Sequence, residues 1–177
     1  MMDQKQRIEQ AWRKTRQWIT LFDGAPTEAY LSNVDSETLP QAVMTLAGQS
    51  NSFRIGAIIG KGGDQSQDLS LENLPENLVK FQTGKVSALN LNAIVNPGSF
   101  DLDLHIVLHT LGSRKVDLEI VWWADQVFPD EVDTQARIRE LLGYFMELQT
   151  LFGAPKLYVG PEAYDKPGPG SLTWLEI

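Results

Sequence analysis

The sequence predicts an α+β fold: an antiparallel sheet with a central three-stranded meander at about residues 86–123 and with one face covered by helices. Two patterns lead to this prediction. The meander region alternates apolar and polar side chains around two turn signals, which is typical of half-buried strands. Residues 3–22 and 131–152 instead repeat apolar side chains every three or four positions, as amphipathic helices do. A length of 177 residues fits one domain, so we expect a single α+β domain over 1–177.

The first half of the chain is predicted to alternate helices with strands. The helix at 3–22 is followed by a short strand at 27–33. A second helix reaches Ala47, where a glycine can end it. Residues 52–59 alternate as a strand, and the Gly-, Asp-, Ser- and Gln-rich residues 60–76 indicate a long surface loop.

The turns of the meander predict which residues face each other. Asn96-Pro97-Gly98-Ser99 indicates a two-residue turn, and Leu111-Gly112-Ser113 indicates a three-residue loop. With these loops, Leu104 lies between Leu91 and Ile120, and apolar residues face one another throughout. A slip of one residue would turn every side chain to the other face, so burial determines the faces.

The C-terminal third is predicted to begin with the longest helix and to end in strands. The apolar stripe of the helix at 131–152 should pack on the apolar face of the meander. A short strand at 157–159 follows, then an irregular segment at 160–171, and residues 172–177 could return as an edge strand. The stripe includes Ile138, Leu142, Phe145 and Phe152.

Composition argues against several classes of function. The net charge is −8, and residues 21–177 hold 10 basic and 21 acidic residues, so we expect no nucleic-acid partner. The absence of cysteine excludes disulfides, thiolate nucleophiles and Cys-ligated metals. The polar opening residues and the lack of a long apolar run predict a cytoplasmic location and no membrane partner.

Two short motifs do not meet the requirements of the sites that they resemble. Gly60-Lys61-Gly62-Gly63 follows a strand, but it lacks the spacing and the hydroxyl residue of a phosphate-binding loop. His105 and His109 are predicted to lie on one strand, about 13 Å apart, which is too far to share a metal ion. We therefore expect no cofactor and no metal.

The polar face of the meander is the candidate site. The predicted pairing places Asn90, His105 and Glu119 in one row, with Asn92 and Asp103 in the next. A carboxylate beside an imidazole can orient a general base or raise its pKa. Trp123 should point to this face and offer an anchor beside Asp101. The candidate binding residues are Asn90, Asn92, Asp101, Asp103, His105, Glu119 and Trp123.

Two hypotheses of function follow from this face. The first is a small acidic binding module of accessory, adaptor or immunity type, which recognises another protein with a basic surface. It depends on the acidity and on the absence of a complete catalytic motif. The alternative is an enzyme or a small-ligand-binding protein that uses the His, Glu, Asp and Asn side chains of the face. A deep cavity would favour the alternative, and a flat solvated surface the first hypothesis.

Overall fold

The computed structural model describes residues 3–19, 26–65, 69–110, 114–127, 134–160 and 175–177. The helices in these residues are α1 (Gln4–Ile19), α2 (Leu39–Gln49), α3 (Leu74–Gln82), α4 (Ala124–Val127) and α5 (Thr134–Leu151). The strands are β1 (Pro26–Asp35), β2 (Ser52–Gly60), β3 (Val86–Val95), β4 (Leu102–Thr110), β5 (Lys115–Trp123), β6 (Lys156–Gly160) and β7 (Leu175–Glu176).

All of these strands join one antiparallel sheet in the order β2-β3-β4-β5-β1-β6-β7. The meander β3-β4-β5 lies in the middle, and β1 pairs with β5 on one side and β6 on the other. The prediction of an α+β fold with a central antiparallel meander is therefore confirmed. The position of β1 inside the sheet had no counterpart in the sequence patterns, because a pairing between distant segments leaves no local signal.

The helices bury their apolar residues in one contiguous core with one face of the sheet. Leu104 and Ile120 of the meander are fully buried in this core. The predicted stripe of α5 lies there too, and the Phe145 ring is 6.2 Å from that of Trp122. The predicted docking of the long helix on the meander is confirmed.

The predicted register of the meander is wrong by two residues. Leu91 pairs with Ile106 rather than Leu104, and Ile106 in turn pairs with Ile120. Leu104 pairs with Ala93. The first connection is longer than its turn signal indicated, because β3 ends at Val95 and β4 begins only at Leu102. The second predicted loop, at 111–113, lies outside the described residues. A shift of two residues keeps every side chain on its face, so the burial pattern could not distinguish the two registers.

Helix α3 overlaps the end of the surface loop expected at 60–76, and the sequence patterns did not predict it because Pro75 also fits the end of a loop. Proline is instead accommodated in the first turn of this helix, where its missing N–H is not needed. Leu74, Leu78 and Phe81 recur at helical spacing and are buried in the core.

Some predicted segments fall outside the described residues. These include the end of the first helix beyond Ile19, the start of the long helix at 131–133, and residues 161–174 of the C-terminal region. The last strand is described as β7, which pairs with β6.

Candidate site on the polar face of the sheet

The side of the sheet opposite the core is here called the polar face. The polar face carries the candidate residues of β3, β4 and β5, because side chains alternate between the two faces along each strand. It also carries charged and aromatic residues of the neighbouring strands. Its described side chains include Glu28, Tyr30, Arg54, Asn90, Asn92, Asp103, His105, His109, Asp117, Glu119, Trp123, Lys156, Tyr158 and Glu176.

A depression of about 430 Å³ opens on this face over β2, β3 and β4, and is here called the Arg54 depression. Its polar lining consists of Arg54, Asn90, Asn92 and His105. The pairing of β2 with β3 shifts between Ile55 and Ala57, so Gly56 is an extra residue on the bulged strand. Bulges bend a strand locally and recur beside functional sites.

Glycine at the bulge leaves room for an asparagine amide that lies against it. A Cβ atom at position 56 would come within 2.6 Å of Asn92 Nδ2. Asn92 lies opposite both Arg54 on β2 and His105 on β4, so these three side chains form a single row. In the structure His105 therefore lies opposite Asn92, whereas the predicted register placed it in a row with Asn90 and Glu119.

Hydrogen-bonding groups of the depression have no partner within the described part of the chain. The Arg54 guanidinium forms no ion pair there, and neither Asn92 nor His105 donates or accepts a side-chain hydrogen bond. Asn90 Oδ1 is shielded from solvent without a partner. The hydroxyls of Thr27 and Ser32 on β1 are likewise buried without a partner in the described residues, so this feature is shared with other parts of the sheet.

Trp123 lies at one end of the polar face and packs on His105. The two rings are 5.0 Å apart between centroids and meet edge to face at 75°. Trp123 is partly exposed, whereas its neighbour Trp122 is buried in the core. The alternation that assigned these two side chains to opposite faces is confirmed.

The two candidate aspartates occupy different positions. Asp103 belongs to β4, opposite Ile94, and it lines a smaller depression that also includes Arg54 and Asn92. Asp101 lies in the connection before β4 rather than on the strand, where its carboxylate accepts hydrogen bonds from Asn51 at 3.1 Å and Asn96 at 3.3 Å. Asp101 therefore organises the loop.

Glu119 belongs to a second polar cluster, nearer the centre of the sheet. It lies across from Val107, and its carboxylate is 3.3 Å from His109 Nε2. Neighbouring Asp117 accepts a 2.5 Å hydrogen bond from the Tyr30 hydroxyl and a 2.8 Å bond from the backbone N–H of Asn33. The imidazole and carboxylate that the sequence paired are thus in separate clusters, and no His105–Glu119 acid–base pair is assembled.

Asp117 supports an irregular point in β1. The pairing of β1 with β5 shifts between Leu31 and Val34, and Asn33 has a φ of 58°. Asparagine tolerates this left-handed conformation better than most residues. Burial raises the pKa of the Tyr30 hydroxyl, and the Asp117 carboxylate raises it further, so the phenol remains a hydrogen-bond donor.

The environment of His109 predicts a pH-dependent contribution to stability. The Glu119 carboxylate raises the pKa of this imidazole, while partial burial acts in the opposite direction. Because the pKa is raised on folding, the ion pair stabilises the protein below the ordinary pKa of 6.5. This contribution is lost as the pH rises through the higher value of the folded state.

An NMR titration of the imidazole resonances should show the effect directly. We expect Glu119→Gln to lower the pKa of His109, because the substitution removes the carboxylate and leaves the partial burial. The backbone resonances of the other strands provide the internal control for a general change of structure. An unchanged His109 titration in the variant would show that Glu119 does not set it.

Several residues of the polar face were missed by the sequence analysis. Arg54 was assigned to a strand without a functional role, although an arginine between apolar neighbours was visible in the alternation of 52–59. Tyr30 had no comparable signal, because only the insertion of β1 beside β5 brings it to Asp117.

Clusters of metal-binding side chains and membrane-spanning helices are both absent from the described segments. Among those residues, no group of three or more His, Asp and Glu side chains is arranged to hold a metal ion. No described helix combines the length and the apolar character needed to cross a membrane.

The comparisons with known proteins define a class of fold. No protein-family model and no curated protein sequence matches the chain. The α+β fold is shared with a chain in the crystal structure of the toxic C-terminal tip of CdiA from Pseudomonas aeruginosa in complex with its immune protein. That match has a TM-score of 0.51 and 14% identity, and it covers 86% of this chain and 94% of the other. At this identity the likeness shows the fold alone.

A second match is too weak to indicate a shared fold. The exocytosis-sensitive phosphoprotein pp63/parafusin from Paramecium, in its open form, gives a TM-score of 0.35 at 13% identity. The match covers 80% of this chain and 23% of that protein.

Proposed function

We propose that this protein is a binding module of immunity type that recognises another protein through the polar face. The partner presents a basic surface, and Trp123 is the central anchor of the contact. The candidate residues Asn90, Asn92, Asp103 and His105 contact the partner, while Glu119 contributes to the charge of the surrounding surface.

The charge of the polar face carries this proposal. Carboxylates outnumber cations on its described strands, and a surface of one sign attracts the opposite sign and accelerates association. Acidic residues are uncommon at the centre of an interface, so the exposed carboxylates belong to its rim, whereas Asp117 is buried with its hydrogen bonds to Tyr30 and Asn33. The carboxylates are Glu28, Asp35, Asp103, Asp117, Glu119 and Glu176, and the cations are Arg54, Lys115 and Lys156.

The aromatic pair supplies the apolar centre that such an interface needs. Trp123 is partly exposed and is held edge-on by His105, so little side-chain freedom remains to be lost on binding. Tryptophan is enriched among the residues that dominate binding energy, usually within a ring of weaker contacts.

The structural neighbour supports the same class of function. The neighbouring chain, which this protein matches over most of both lengths, was determined in a complex between a toxin tip and its immune protein. The same fold therefore takes part in a protein–protein complex there. The His105–Glu119 pair that the alternative hypothesis included is not formed, because the Glu119 carboxylate lies 3.3 Å from His109 Nε2 instead.

Affinity capture followed by direct binding measurements tests the proposal. The partner captured from native cells is purified, and its affinity is measured by calorimetry for the wild type and for Trp123→Ala and Asp103→Lys. We expect Trp123→Ala to weaken binding by about 2 kcal/mol or more, as a central anchor does. Asp103→Lys should slow association with a basic partner, and added salt should reduce that difference.

Two control variants separate the polar face from general effects. Glu72→Lys makes the same change of charge as Asp103→Lys, but beside α3 on the helix side of the sheet, and Glu147→Ala truncates an exposed residue of α5. Both should bind as the wild type does. If Trp123→Ala and Asp103→Lys also retain full affinity, the polar face is not the contact surface.

A further inference from the structure

We propose that the Arg54 depression is a subsite for a carboxylate group, in which Arg54, Asn92 and His105 donate hydrogen bonds to its oxygens. The carboxylate comes from an acidic side chain of the protein partner, and this part of the inference rests on the proposed function. The chemistry of the subsite rests on the depression itself.

The lining of the depression is rich in donors. A guanidinium offers several N–H groups in a planar fork that matches the two oxygens of a carboxylate. The Nδ2 amide of Asn92 lies against the bulge beside it, and the His105 imidazole faces Asn92 from β4. These three groups come from three adjacent strands and line one concave surface of about 430 Å³.

Three other polar side chains of the same face, by comparison, have partners. His109 contacts Glu119, the Tyr30 hydroxyl bonds to Asp117, and Lys156 contacts Glu176 at 2.8 Å. Within the described part of the chain, by contrast, the Arg54 guanidinium has no ion pair although the sheet is rich in carboxylates.

The bulge maintains this arrangement. Because a Cβ atom at position 56 would displace the Asn92 amide, glycine allows the amide to lie beside Arg54 and opposite His105. The displaced group would be the end of a flexible side chain, so a substitution there moves Asn92 without breaking the sheet. Gly56 is therefore a positioning residue of the subsite.

The surroundings select a singly charged ligand group. Asp103 lines the smaller depression next to Arg54, and the chain as a whole carries a net charge of −8. This field opposes a doubly charged phosphate more strongly than a carboxylate. Because Arg54 lies within an acidic surface, the complementary surface of the partner is a basic patch that contains one acidic residue. Such a charge pattern allows the two proteins to bind in only one relative position.

Titration of the full chain with small probes, followed by NMR, tests the subsite. The probes are N-acetyl-aspartate amide for an acidic side chain, N-acetylglycine for a chain terminus, acetate for a free small acid, N-acetyl-asparagine amide as the neutral match, and inorganic phosphate. We expect the carboxylates to shift the Asn92 amide and His105 resonances saturably in the millimolar range. The neutral amide and phosphate should bind more weakly.

Two variants should weaken carboxylate binding, and a third serves as their control. Arg54→Gln should weaken carboxylate binding about tenfold or more, since it removes a charge-assisted hydrogen-bonding group. Gly56→Ala should weaken it while leaving the remaining spectrum folded. Arg114→Gln removes an exposed arginine far from the depression and should have no effect. Equal binding by Arg54→Gln and the wild type, or tighter binding of the neutral amide or of phosphate, would overturn the subsite.

The same variants separate this inference from the proposed function. If the probes bind through Arg54 but neither Trp123→Ala nor Arg54→Gln affects the partner, the subsite stands and the proposed contact surface fails. If Trp123→Ala weakens partner binding while Arg54→Gln changes neither partner nor probe binding, the contact surface stands and the subsite fails. Weaker partner binding by Arg54→Gln, with loss of N-acetyl-aspartate amide binding, supports both.

Discussion

Replacing Phe145 with aspartate should unfold the protein. Phe145 is fully buried on α5, where its ring packs against Trp122 of β5. Loss of the ring alone costs about 3–5 kcal/mol, and an unpaired buried carboxylate adds several kcal/mol. Together these terms approach or exceed the total stability of a typical domain, which is about 5–15 kcal/mol. Circular dichroism and thermal denaturation would show the loss of a cooperative transition.

Glu147 on the same helix is the matched control. It lies two residues further along α5 and is exposed, so Glu147→Ala should leave stability within about 0.5 kcal/mol of the wild type. A folded Phe145→Asp variant together with a strongly destabilised Glu147→Ala variant would show that α5 presents its other face to the sheet.

Truncating Leu104 to alanine should destabilise the protein by about 2–5 kcal/mol. Leu104 is fully buried in the middle strand of the meander, so the substitution loses apolar burial and leaves a cavity between the sheet and the helices. Denaturant unfolding would give the change in the free energy of unfolding. The slope with denaturant should remain unchanged if the fold is retained.

Ile94 provides the comparison on the opposite face of the sheet. It lies on β3 opposite Asp103 and is 37% exposed. Ile94→Ala should therefore cost clearly less than Leu104→Ala, on the order of 1 kcal/mol or below. A loss below about 0.5 kcal/mol for Leu104→Ala would contradict the burial of this face.

The buried side of the meander strands and of the long helix α5 could be predicted from their own residues. Alternation assigned Leu104 and Trp122 to the core and His105 and Trp123 to the polar face, and the structure agrees. Helical spacing likewise placed Phe145 in the core. These assignments are correct because the burial of one face makes apolar residues repeat along the segment at the spacing of a strand or a helix. Each segment shows this repeat whatever its neighbours in the fold are.

Register and the length of the connections were decided by the tertiary structure. A shift of two residues keeps every face, so alternation does not distinguish Leu91 opposite Leu104 from Leu91 opposite Ile106. The missed helix α3 shows the same limit, because Pro75 is compatible with either the end of a loop or the first turn of a helix.

The candidate site depended most on long-range pairing. Strand alternation identified Asn92 and His105, but the expected register placed His105 beside Glu119 instead of Asn92. Arg54 came to the site only through the pairing of β2 with β3, and Tyr30 reached Asp117 only because β1 inserts next to β5. A local pattern records the face that a residue occupies, whereas its neighbours across the sheet depend on segments far away in the chain. The physical reason is that burial acts on each segment separately, while pairing is decided by the packing of the whole sheet.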